Sequence, residues 1–279
     1  MPELPEVETV ANGVHARVSG DTIVSTWFSS KTEPFKVSRA ALAEALEGRR
    51  IARVRRVGKH IVADIAEADG TVSAEWIVHL GMTGRLLVSH ADVPVPPHTH
   101  AAISLASGRE LRFVDARRFG RLDLRRLDGA QNGKGQNFTG PGTEPLSISE
   151  DAFIALFRGR KLAIKAALLN QSLLHGVGNI YADESLHRAG IRPSLAAGKV
   201  SKPRLRRLHG ELQLVLRKAI ELGGSSVSDY VDADGVRGFF QLEHRVYSRT
   251  GLPCLTCGTP IRRTIIGGRS THSCPLCQK

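Results

Sequence analysis

The sequence predicts an α+β protein of two domains: an N-terminal β-sandwich with flanking helices, then a helical C-terminal domain ending in a small β-hairpin module. Three features point there. Short apolar blocks punctuated by glycine, proline and charge fill the first half, apolar residues at helical spacing fill the second, and all four cysteines lie in the last 26 of 279 residues. At this length two compact units with an appendage are expected, and a hydrophobic content of 41% is enough for their cores.

Pro5, with Glu6 and Glu8 behind it, opens a helix from about Pro5 to Val18, because proline suits a first helical turn. β-prone blocks follow at Thr22–Phe28, Ile51–Val57, His60–Ile65, Val72–His79, Arg85–Val88, His100–Leu105 and Glu110–Phe113, interrupted by a short helix at Ala40–Leu46. The Gly- and Asn-rich stretch Asp128–Gly142 is the linker candidate. Beyond it helices are expected at Glu150–Arg158, Leu162–Leu169 and Asn179–Ala189. A long helix capped by Ser201 follows, with Leu205, Leu208, Leu212, Val215, Leu216 and Ile220 on one face and Gly223-Gly224 at its end. The implied boundaries are 1–132 for the sandwich, 133–149 for the linker, 150–240 for the helical domain and 241–279 for the hairpin module.

The net charge of +12 is unevenly spread: residues 1–150 hold 19 Lys and Arg against 18 Asp and Glu, whereas residues 151–279 hold 20 against 9. Such a one-sided excess suits a polyanion, since neutralising duplex phosphates releases counterions; a merely soluble basic surface is the plainer alternative. No run of 18 apolar residues and no basic-then-apolar N-terminus occurs, so neither a membrane span nor a secretory signal is expected and the chain reads as cytosolic.

Cys254-x2-Cys257, sixteen intervening residues and Cys274-x2-Cys277 fall within zinc-ribbon spacing. Two such pairs complete a tetrahedral thiolate shell with no open position, so one structural Zn2+ is expected rather than a catalytic one. Disulfides are the alternative, disfavoured in a reducing compartment. Between the pairs, two β-prone runs surround Gly267-Gly268 with basic residues near the tip, a hairpin suited to presenting arginine.

Pro2 is a candidate nucleophile. Once Met1 is removed its secondary amine, with a pKa of about 8, is appreciably unprotonated near neutrality, and Glu3 stands beside it; the plainer reading is ordinary helix-start chemistry. Gly176-Val177-Gly178 ahead of Asn179 offers backbone N–H groups to a phosphate, with Asn179 as phosphate donor or simple helix cap. Lys59 follows a basic strand end. Met82 lies on the glycine-flanked turn His79–Gly84, either as an apolar wedge between base pairs or as core filler. In Asp115-Ala116-Arg117-Arg118-Phe119-Gly120, Phe119 can stack on a base while an arginine bonds an orphaned one; a solvated salt-bridge surface fits equally well.

In order from first residue to last, Met-Pro-Glu-Leu-Pro-Glu-Val-Glu-Thr, His79–Gly84, Asp115–Gly120, Gly176–Ala182 with Glu184 and the four-cysteine finger ending Cys-Gln-Lys resemble the bacterial formamidopyrimidine-DNA glycosylases. Leu4 and the Met82, Arg117, Phe119 set look like the oxidised-purine branch rather than the endonuclease VIII branch. The resemblance implies a helix-two-turns-helix DNA-binding domain with a zinc finger, and a monomeric, nucleoid-associated glycosylase and AP lyase acting on duplex DNA with oxidised purines or abasic sites. Pro2 would attack C1′, Glu3 would move protons, and Lys59 would act beside them. Lys59, His79, Asn179, Tyr247 and Arg269 would hold phosphates, Lys165 would approach the lesion or its phosphate, and Met82, Arg117 and Phe119 would fill the gap. A mobile loop, Asp229–Phe240 with Asp234, Gly235, Val236, Arg237 and Gly238, would cover the extruded base with backbone N–H groups able to read it. Two other readings stand beside this one: a preference for oxidised pyrimidines, and a DNA-binding protein without catalysis.

Overall fold

The computed structural model describes residues 1–127, 137–226 and 230–279. Most of the expected linker stretch Asp128–Gly142, the expected boundary at 132/133 and the first residue of the Asp229–Phe240 loop lie outside them. The chain forms two compact units, Met1–Thr139 with Gly223–Gly238, and Gly140–Leu222 with Phe239–Lys279.

The first unit begins with α1 (Leu4–Val18), followed by β1 (Ile23–Phe28), α2 (Arg39–Leu46), β2 (Arg50–Val57), β3 (His60–Ala66) and β4 (Val72–His79). Then come β5 (Arg85–His90), β6 (Thr99–Leu105), β7 (Arg109–Val114) and β8 (Arg121–Arg126). These strands make two antiparallel four-stranded sheets, in the orders β1-β6-β7-β5 and β2-β3-β4-β8. Alternate residues of both sheets enter one core: Ile61, Ala63 and Ile65 of β3, Trp76 and Val78 of β4, Ile103 and Leu105 of β6, Leu111 and Phe113 of β7. Val7, Val10 and Val14 on one face of α1 join it. Tyr230 and Ala233 also belong to this core, with Val88 N–H donating to Ala233 carbonyl, so the segment after Gly223 packs on the first unit.

Strand β8 was not expected. Arg-Leu-Asp-Leu-Arg-Arg is four-sixths charged, yet Leu122 is buried, Leu124 packs against the core, and the backbone pairs along β4 from Arg126↔Ala74 to Arg121↔His79. Alternation decides the strand here, with charge on the wet face.

The second unit holds α3 (Glu150–Phe157), α4 (Ile164–Leu168), α5 (Asn179–Ala189), α6 (Lys202–Glu221), β9 (Arg262–Ile266) and β10 (Arg269–Ser273). In α6 Leu205, Leu208, Leu212, Val215 and Leu216 are buried as the periodicity requires. Ser201 occupies the N-cap position of α6, but its side chain accepts no capping hydrogen bond, and Pro203 in the first turn removes one of the N–H groups needing a partner. Strands β9 and β10 pair antiparallel about Gly267-Gly268, which take φ of +57° and +73°. No helix among the described residues is long and apolar enough to cross a membrane.

Candidate functional site

Pro2 is buried and Glu3 is 5% exposed, at the extended N-cap of α1. The Glu3 carboxylate accepts the Glu6 N–H, and Glu6 Oε2 accepts the Glu3 N–H at 2.8 Å, a reciprocal capping box. The other oxygen of Glu6 accepts Ser225 N–H at 2.7 Å, and the Glu6 carbonyl accepts the Tyr230 hydroxyl at 3.2 Å. Burial and the adjacent Glu6 push the Tyr230 phenol well above its ordinary range, so it stays a donor. Gly224 is required beside them: its φ is +81°, and a Cβ there would lie 2.9 Å from Glu6 Cγ. Glu6 thus fixes the N-terminal peptide, a role that its position in the first helical turn did not reveal.

Met82 (42% exposed) and Phe119 (49%) are set on two turns bound together by a fully buried carboxylate. Asp115 accepts from Thr83 Oγ1 at 2.6 Å on the Met82 turn, and from Arg117 N–H at 3.2 Å and Gly120 N–H at 2.7 Å on the other. The turns touch so closely that a Cβ on Gly81 (φ +64°) would sit 2.5 Å from Gly120 N. The Arg117 guanidinium lies 4.7 Å from the Phe119 ring centroid, whereas Arg118 pairs with Glu33 at 2.7 Å. Core filler is therefore the wrong reading of Met82, and Arg118 takes the salt-bridge role while Arg117 stays beside Phe119. Asp115 and Thr83 are structural partners that residue type alone did not mark.

His79 ends β4. Its Nδ1 accepts Gly81 N–H at 3.1 Å, leaving Nε2 to carry the proton of the neutral ring. Burial, reinforced by His60, Lys59 and Arg121, lowers its pKa from the ordinary 6.5 to about 4. Lys59 is buried in the β2–β3 turn after Gly58, whose φ is +59°.

In the turn carrying Asp234 and Gly235, Asp232 N–H donates to Val236 carbonyl and Gly235 N–H to Asp232 carbonyl, while Asp232 Oδ1 accepts from the N–H of Asp234 and Val236, both at 2.9 Å. Gly238 N–H donates to Ser226 Oγ and Asp234 pairs with Arg17. Of these amides, expected to read a base, those of Asp234, Gly235 and Val236 are spent within the turn and that of Gly238 on Ser226, whereas the Val236 and Arg237 side chains are exposed.

In the second unit α5 starts at the glycine turn with Gly178, not Asn179, as N-cap, which overturns the simple-cap reading. Asn179 instead donates from Nδ2 to Ser270 carbonyl in β10 at 2.9 Å. Glu184 accepts the N–H groups of Arg245, Val246 and Tyr247 at 2.9–3.0 Å and so fixes the Tyr247 backbone; burial pushes its pKa up against those bonds. Arg269 is exposed at the hairpin turn. Lys165, expected at the DNA, is instead 0% exposed: its Nζ pairs with Asp183 at 2.7 Å and donates to Ser270 carbonyl and Thr271 Oγ1. An ammonium so enclosed has no face left for a phosphate.

The four cysteine sulfurs lie within 4.8 Å of one another, with Cys254–Cys277 at 4.0 Å and Cys257–Cys274 at 3.4 Å, and none is in a disulfide. Four thiolates about 2.3 Å from one tetrahedral zinc ion would be spaced at about 3.8 Å, so the sulfurs are drawn up to that shape.

Residues 1–122 match the formamidopyrimidine-DNA glycosylase N-terminal domain, residues 141–231 the formamidopyrimidine-DNA glycosylase H2TH domain, and residues 251–279 the zinc finger found in Fpg and isoleucyl-tRNA synthetase. The formamidopyrimidine-DNA glycosylase of Solibacter usitatus is 45% identical, with all of both chains covered. The chain belongs to the formamidopyrimidine-DNA glycosylase family. Among solved structures, a Lactococcus lactis Fpg mutant in complex with a Fapy-dG containing DNA superposes with a TM-score of 0.88 at 33% identity over 100% of each chain. The MutM (Fpg) protein of Thermus thermophilus does so with 0.83 at 40% identity, over 99% of this chain and 98% of that one. The family assignment makes the protein an enzyme of the DNA glycosylase class and its cysteine cluster a zinc-finger site. It also gives the α5 region its name: α4, the glycine turn and α5 lie inside the H2TH match.

Proposed function

We propose that the protein is a bifunctional DNA glycosylase and AP lyase that removes oxidised purines, 8-oxoguanine and formamidopyrimidines, from duplex DNA and then cleaves the abasic strand, acting as a monomer in base excision repair. The locked N-terminal peptide supports this most directly: Pro2 and Glu3 are buried together and held through Glu6 by Ser225 and Tyr230. Met1, 49% exposed, acylates the Pro2 nitrogen, and its removal frees a secondary amine with a lone pair near neutral pH. That lone pair forms a bond to C1′ as the glycosidic bond breaks and the base leaves with a proton; opening of the sugar gives an iminium on Pro2. Glu3 delivers and takes up protons around the sugar. Loss of the C2′ proton expels the 3′ phosphate, a second elimination expels the 5′ phosphate, and water releases the product from Pro2.

Extruding the nucleotide costs a few kcal/mol, offset by Met82 and Phe119 in the gap and Arg117 on the orphaned cytosine. Lys59, His79, Asn179, Tyr247 and Arg269 hold phosphates, and the exposed Val236 and Arg237 face the extruded base. Zinc, closed in by four thiolates, supplies rigidity and no reaction step.

The test is borohydride trapping of Met-processed protein on a duplex with 8-oxoguanine opposite cytosine, with undamaged and thymine glycol duplexes alongside. A covalent product mapped to Pro2 on the 8-oxoguanine duplex is expected. Stronger trapping on thymine glycol would shift the substrate to oxidised pyrimidines, and lesion binding without any adduct would remove the catalytic reading.

A further inference from the structure

One thiolate of the zinc module meets a partner from outside the module. His187, in the last turn of α5 and 5% exposed, places Nε2 3.5 Å from Cys254 Sγ, while its Nδ1 is buried with no hydrogen-bond partner among the described residues. A zinc-bound cysteine sulfur is a thiolate and only accepts. The proton of the contact therefore sits on Nε2, and the ring spends its single N–H on sulfur, leaving only a bare lone pair at Nδ1. The approach is held from both sides. One turn earlier on α5, Asp183 accepts the His272 N–H of β10 at 2.8 Å, and Glu184 grips the Arg245–Tyr247 backbone.

We propose that His187 is a working part of the zinc centre, holding the Cys254 thiolate from α5 through an Nε2–H···Sγ hydrogen bond and so slowing loss of the metal. Four thiolates around Zn2+ carry a net charge of −2, and a hydrogen bond to one of them disperses that charge and lowers the basicity of the sulfur. Metal leaves such a site as its thiolates take up protons, and with Cys257 exposed the buried Cys254 side is where retention can be built. The bond also ties the finger to the helix whose start carries Asn179.

The experiment uses the full-length zinc-loaded protein. His187→Phe keeps a ring and removes the donor, and His187→Gln keeps an N–H. Zinc transfer to an excess of a coloured chelator gives the release rate; the cobalt(II)-substituted protein gives the sulfur-to-metal charge-transfer band. In His187→Phe release is expected to be on the order of 10-fold faster, with the band moved to longer wavelength because the sulfur lone pair has lost its stabilisation. His187→Gln should restore much of both. An unchanged rate and band in His187→Phe would overturn the proposal, as would equal changes in the two variants, which would make His187 a packing residue only. If His187→Phe does not fold, His187→Gln decides alone: a band at the wild-type wavelength supports the bond and a red-shifted one refutes it.

Discussion

The behaviour of His79 is set by its neighbours. Its neutral ring accepts the Gly81 N–H that begins the Met82 turn, and its folded pKa of about 4 lies below the ordinary 6.5. As pH falls the unfolded chain takes up this proton first, so the stability tied to the neutral ring is complete above about 6.5 and is lost toward about 4. Melting temperatures measured from pH 7 to 4 should fall, and should fall less steeply in His79→Gln. Glu6 makes a different kind of prediction. Both its oxygens accept backbone N–H groups, from Glu3 and Ser225, so the amide of Glu6→Gln must turn a donor against a donor. The cost is about 1–3 kcal/mol. Borohydride trapping should drop sharply in this variant while its Kd for undamaged duplex stays within about twofold of wild type, because the change is local to the N-terminal peptide.

At the scale of elements, apolar alternation and helical periodicity were legible nearly throughout, and β8 shows where they were not. Two leucines among four charged residues gave too little apolar signal, and only the backbone of β4 beside it makes Arg121–Arg126 a strand. Lys165 and Asp183 are unreadable for a related reason. They are eighteen residues apart on separate helices, and nothing in either local pattern says that the two charges cancel inside the protein. The cysteine spacing, by contrast, carried its geometry unaided, since four sulfurs with short internal loops have few ways to gather. Gly81 is an element-scale constraint with a sharp outcome. Its positive φ and the 2.5 Å approach of a Cβ to Gly120 N mean that Gly81→Ala must push the Met82 turn off the Phe119 turn. Urea unfolding should show a loss well above ~1 kcal/mol, and the ratio of lesion to undamaged binding should fall further than either affinity alone.

For the whole molecule, the two units should answer differently to loss of metal. The first has its own two-sheet core, completed by Tyr230 and Ala233, whereas the finger has only Val246, Ile261 and its cysteines to bury. Chelation should therefore abolish a low-temperature part of the calorimetric transition and leave the first unit's melting in place. Salt dependence tests the charge distribution more closely. The excess of 20 basic over 9 acidic residues in 151–279 suggests many phosphate contacts, but the structure encloses one of those cations, Lys165, with Asp183, and His79, expected at a phosphate from the first half of the chain, is neutral at working pH. Of the proposed phosphate contacts only Lys59 and Arg269 then carry charge, while Asn179 and Tyr247 act as dipoles. Each neutralised phosphate contributes about 0.9 to the slope of log K against log salt. Arg269→Ala should lower the measured slope by about that amount. Asn179→Ala should weaken binding equally at every salt concentration, and Lys165→Met should leave the slope unchanged while destabilising the fold through loss of the ammonium beside the buried Asp183. A slope that falls in Lys165→Met as it does in Arg269→Ala would place that ammonium on a phosphate after all, and would require α4 and β10 to part when DNA is bound.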